Sequence, residues 1–97
     1  MTGLLPGARI DRLVPDMRDR VTKACIWAIA NDINLSVTVP EVKGVSDNSL
    51  RFARLGIHPV PPFNQIVEDW KILVGIFGKN YSVTLDKGFF NVEHCPK

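Results

Sequence analysis

Phe63-Asn64-Gln65-Ile66-Val67-Glu68-Asp69-Trp70-Lys71-Ile72-Leu73-Val74-Gly75-Ile76-Phe77-Gly78 places Phe63, Ile66, Val67, Trp70, Leu73, Val74 and Phe77 at three- and four-residue steps. That spacing gathers apolar side chains on one stripe of an α-helix, and a glycine just past the last of them is the usual helix stop. The period then changes. Tyr81-Ser82-Val83-Thr84-Leu85 alternates apolar with polar residues, as a strand with one buried face does. Asp86-Lys87-Gly88 reads as a three-residue hairpin loop with Gly88 at the left-handed position, and Phe89 to His94 as the returning strand. A helix feeding a hairpin predicts an α+β domain.

The upstream chain repeats the helix-to-strand change. Val14, Met17, Val21, Ala24, Cys25, Ala28 and Ile29 form a second helical stripe, with Pro15 suited to its first turn. Leu35, Val37 and Val39 then alternate with Ser36 and Thr38, and Pro40 ends the strand. Residues 41 to 62 hold Gly44, Gly56, Pro59, Pro61 and Pro62 and keep no period, apart from a short helix expected around Ser49 to Arg54. The expected order is α, β, loop, α, β, β: two helices packed on a small, mostly antiparallel sheet of about three strands. Residues 1 to 97 read as one domain, with 1–9 a flexible arm and 41–62 an irregular connection. No internal repeat or low-complexity segment is read.

Composition sets limits on function. A chain of 97 residues buries about 60 to 70% of its unfolded surface, enough for a modest core. Hydrophobic residues make up 45% and charged residues 23%, and no apolar run nears the roughly 18 to 20 residues that cross a bilayer. A net charge of +2, with Asp11, Asp16 and Asp19 set among Arg9, Arg12, Arg18, Arg20 and Lys23, reads as a solvated helix face. Neither a membrane nor nucleic acid is the expected partner. The start Met1-Thr2-Gly3-Leu4-Leu5 has no basic region ahead of a long apolar stretch, so the chain is expected to stay in the compartment where it is made, and a host cytoplasm or a virion is the expected location.

Few side chains could carry chemistry. Cys25 and Cys95 form no CxxC, and both are expected as thiols. His58 and His94 are the two histidines, and no HExxH or EF-hand spacing accompanies them. The cluster Glu93-His94-Cys95 lies on an alternating strand, so Glu93 and Cys95 point to one face while His94 points to the other with Phe90 and Val92. No cofactor and no catalytic residue is expected. His94 stays a weak candidate metal ligand.

The order of elements, with a helix entering a Leu35-Ser36-Val37-Thr38 strand, resembles the zinc peptidases that include D-alanyl-D-alanine carboxypeptidases and phage endolysins. The family motif SxHxxGxAxD falls on Ser46 to Leu55. There Ser46 and Ala53 are kept, while Asn48 and Leu55 stand at the two ligand positions. The terminal motif falls on Asn91-Val92-Glu93-His94, which keeps the ligand histidine and has Asn91 in place of the acidic base. The resemblance implies a zinc hydrolase of the endolysin type that has lost two of three ligands and its base, hence an inactive one.

The leading expectation is a non-enzymatic protein-binding or structural accessory protein, phage-encoded as a virion component or a host-directed inhibitor, acting on a protein partner or by self-assembly. Leu4, Leu5 and Ile10 would be contacts of the arm. Ile57, His58, Val60 and the nearby prolines would form a docking surface. Trp27 is either an aromatic presented to a partner or a second contact with the core.

Overall fold

The structure, a computed structural model, describes residues 10–40, 42–44, 46 and 48–95. After a 3-10 turn over Ile10–Arg12 come α1 (Pro15–Ala30), β1 (Leu35–Thr38), β2 (Phe52–Ile57), α2 (Phe63–Phe77), β3 (Tyr81–Asp86) and β4 (Phe89–His94). The strands form one antiparallel sheet in the order β1-β2-β4-β3. The α+β class stands, with four strands in place of three.

The additional strand is β2, in the segment read as irregular and partly as a short helix. Ala53, Leu55 and Ile57 do alternate, and all three are buried. Arg54 and Gly56 between them obscure the pattern, because a glycine in a strand reads as a breaker. Gly56 is there for space: it pairs with Phe89, and a Cβ on it would lie 3.2 Å from the Phe89 ring and 2.9 Å from Ser36 Oγ.

Both helices follow the expected stripes with local departures. Met17, Val21, Ala24, Cys25 and Ala28 bury one side of α1, and Ile66, Leu73 and Phe77 bury one side of α2. Ile29, about 100° round the helix from Ala28, faces away and is 59% exposed. Phe63 opens α2 ahead of the turn that reaches the core, and it is 73% exposed; Val74 is exposed as well. Ile10 is not an arm residue, because the 3-10 turn packs it half-buried against the core.

The β3–β4 loop is shorter than expected. Asp86 pairs with Phe89, leaving Lys87 (φ 45°) and Gly88 (φ 86°) as a two-residue turn. Positive φ at both positions matches the strand twist, and only glycine takes it without steric cost. A Cβ on Gly88 would also lie 3.0 Å from Val60 Cγ2. Gly88→Ala is therefore expected to cost about 1–2 kcal/mol, read as a lower denaturation midpoint at unchanged m-value.

Topologically, the chain is an α–β–β unit used twice. α1-β1-β2 and α2-β3-β4 meet at β2 and β4, with β1 and β3 at the edges. The registers agree: Leu35 pairs with Ile57 as Tyr81 pairs with His94. The strand entries agree too, since the His58 N–H donates to the Asn34 carbonyl as the Cys95 N–H does to Asn80. Arg54 and Asn91, each fourth from last in its strand, lie opposite one another at the junction, where Arg54 Nε donates to Asn91 Oδ1 at 3.1 Å. The sequence bears one short trace of this repeat. Ser36-Val37-Thr38 returns as Ser82-Val83-Thr84, each on the strand that follows a helix.

Candidate functional site

The two units have unlike corners. One corner is filled, where β3 begins and β4 ends beside the start of α1. There the Tyr81 hydroxyl donates to Asp16 Oδ2 at 2.6 Å, with the Tyr81 ring 4.7 Å from the His94 ring and 5.4 Å from that of Phe77. Arg20 pairs with Asp16 one helical turn away and donates to the Ile76 carbonyl of α2. The Tyr81 hydrogen bond first, then the charges of Arg20 and His94, hold the Asp16 carboxyl below its ordinary value of 3.8. Burial, then the bond to Asp16, push the Tyr81 phenol well above its ordinary 10.0.

These shifts give opposite signs at the two ends of the pH scale. A lowered carboxyl contributes stability above pH 3.8 that is lost as pH falls through its folded value. A raised phenol contributes stability that is complete below pH 10.0 and lost as pH rises beyond it. Tyr81→Phe is expected to cost about 1 kcal/mol at neutral pH, because Asp16 is largely exposed. The gap from the unaltered chain should close below pH 3.8 and above pH 10.0. As Tyr81 is the single tyrosine, tyrosinate absorbance reads its titration directly, and an ordinary phenol titration would contradict its bond to Asp16.

The corresponding corner of the first unit is open. Leu35 stands where Tyr81 stands, and Ile57 where His94 stands, and neither reaches as far. A cleft of about 400 Å³ lies beside Ile57, within the usual range for ligand sites. Trp27, Asn31 and Asp32 from the end of α1, with Ile33 and Asn34 leading into β1, form one wall. The opposite wall is Ile57, His58, Pro59 and Pro61, and α2 contributes Gln65, Asp69 and Ile72.

The polar groups of the cleft are held from within the fold. Asn31 Nδ2 donates to the Trp27 carbonyl at 2.8 Å, and the Ile33 N–H closes the α1 end on the Ala28 carbonyl. His58 Nε2 lies 3.2 Å from Ser36 Oγ at the rim. Asp69, only 3% exposed, accepts from Gln65 Nε2 at 3.0 Å. A carboxylate so deeply placed is costly unless it is well partnered.

Trp27, Ile57 and His58, far apart in sequence, thus meet in one cleft. Trp27 packs against the core, half-buried, and also lines the cleft. Ile57 is not a loop residue: it ends β2 and is buried. Val60 is 57% exposed but turns to Gly88, outside the cleft lining. Leu4 and Leu5 lie outside the described residues. The α1–β1 turn and the α2 side of the cleft were missed. Asp69 had a signal, being an acid set between Ile66 and Leu73 on an otherwise apolar stripe.

The chemistry-bearing residues near the end of the chain are dispersed. His94 faces the core side with Phe90 and Val92, as the strand period requires, and its Nδ1 is buried with no hydrogen-bond partner among the described residues. Leu55 pairs with Phe90, some way along β4 from His94, and is fully buried. Cys25 is buried, which raises its thiol pKa; Cys95 is exposed, and both are free. Among the described residues, no three His, Cys, Asp or Glu side chains converge as metal ligands would, and no helix is long and apolar enough to cross a membrane. Compared with known protein families, curated proteins and solved structures, the chain matches none.

Proposed function

We propose that this protein is a non-enzymatic accessory protein that docks a segment of another protein in the open cleft. The carrying observation is the inequality of the corners: the second unit places Tyr81 and His94 at its corner, and the first has Leu35 and Ile57 at the matching pair, with an open cleft that Ile57 lines. Apolar walls from Trp27, Ile57, Pro59 and Ile72, with polar groups at fixed places between them, are what a side chain of a partner needs for burial and orientation. The cleft is too small for a second folded domain, so the partner would enter as an extended or turn segment.

Selection from a random-peptide display library on the full chain tests this reading. Peptides are expected to be enriched that bind the unaltered chain and lose at least about tenfold in affinity on Ile72→Arg, a change at an exposed residue of the cleft. Enriched peptides indifferent to Ile72→Arg, or no enrichment at all, would overturn it.

A further inference from the structure

We infer that the cleft takes the guanidinium group of an arginine presented by the partner segment, with Asp69 as its principal acceptor; this rests on the docking reading above. The first support is charge. Among the described residues Asp32 and Asp69 line the cleft and no Lys or Arg does, although the whole chain carries a net charge of +2. The second is the state of Asp69. It is nearly inaccessible, and among the described residues its side chain has one hydrogen-bond partner, the neutral amide of Gln65. Among those residues the Asp69 side chain meets no cation, in a site where screening by water is weak.

The filled corner supplies an internal comparison. Asp16 and Arg20 are one turn apart on α1 with the acid first, and Gln65 and Asp69 are one turn apart on α2 with the acid second, so the corners are comparable in the groups they hold and not in matched positions. Where the first pair combines a carboxylate with a guanidinium, the second has a carboxylate and an amide. The open corner thus lacks both the ring of Tyr81 and the cation of Arg20. An arginine side chain supplies a planar cation for Asp69 and an aliphatic stem for Ile57 and Pro59.

Arginine suits the cleft better than lysine. Its five N–H donors fan out in one plane, matching a carboxylate with further acceptors nearby, and its face stacks on an indole such as Trp27. The Asn31 amide nitrogen is engaged by the Trp27 carbonyl, which leaves the Asn31 side-chain oxygen as one such acceptor.

The test is an NMR titration of the isotope-labelled full chain with N-acetyl-arginine methylamide, against the lysine and citrulline analogues, to about 20 mM. Citrulline keeps the shape of arginine and removes the charge. A saturable shift of the Trp27 indole, with the Trp70 indole unmoved, is expected for arginine, a weaker one for lysine and none for citrulline. Asp69→Asn is expected to weaken the arginine response at least about tenfold. An equal response to citrulline, an undiminished response in Asp69→Asn, or no saturation would overturn the inference. If Asp69→Asn loses its dispersed spectrum, the citrulline comparison on the unaltered chain decides.

The displayed peptides separate the two readings. Cleft-dependent peptides that bind equally well after arginine is replaced by citrulline would sink the arginine assignment and leave docking intact. Peptides that bind without the cleft would sink docking itself.

Discussion

Phe90→Ala is expected to remove about 3–5 kcal/mol of stability, a large share of the roughly 5–15 kcal/mol available to a domain of this size. Phe90 is 1% exposed and lies on the inner strand β4, opposite Leu55 of β2 on one side and Leu85 of β3 on the other. Its ring therefore fills space against both units, and fully buried Leu55 and Val92 leave little freedom to collapse into the hole. Chemical denaturation should show a much lower midpoint with little change in m-value. A loss below about 1 kcal/mol would mean that the cavity closes or that the packing differs.

Trp70→Ala is expected to cost about 3 kcal/mol through two effects that a second variant separates. The half-buried indole packs α2 on the core, and its Nε1–H donates to the Val83 carbonyl at 2.7 Å. β3 has a sheet neighbour on one side only, so this bond ties an edge strand to the helix above it. Trp70→Phe keeps most of the apolar contact and removes the donor, and should cost about 1 kcal/mol. Equal losses in the two variants would assign the whole effect to the hydrogen bond, and no loss in Trp70→Phe would assign it to packing.

The helices and three of the strands are legible in the sequence because each buries a face with its own period. The alternation of Tyr81 to Leu85 survives in the fold, and the 3.6-residue stripe of α2 does so apart from exposed Phe63 and Val74. β2 is hidden for a physical reason: packing on the outer face of the sheet requires Gly56 under Phe89, and the residue that makes room also reads as a breaker. The hairpin loop is one residue shorter than its sequence suggests because Asp86, a turn-forming type, pairs with Phe89 instead.

The candidate site is less legible, since it is made by register rather than by motif. Nothing in the order of Leu35 and Ile57 announces that they are shorter stand-ins for Tyr81 and His94 until the two strand pairings are aligned. Trp27 and His58 attract notice for their chemistry, but what joins them is the path of the chain from α1 into β1 and from β2 towards α2. Asp69 could have been found from sequence alone, as an acid on an apolar stripe.

The junction of β2 with β4 has a consequence for how the chain folds. Within the sheet, β1–β2 and β3–β4 join segments that follow one another, the latter across two residues, whereas β2–β4 joins segments separated by a whole helix and a strand. Closing that seam costs the most loop entropy and brings the least local reward until both halves are in place. Amide protons bonded across β2 and β4 should thus exchange only when the whole chain opens, while those flanking Lys87 and Gly88 escape by fraying.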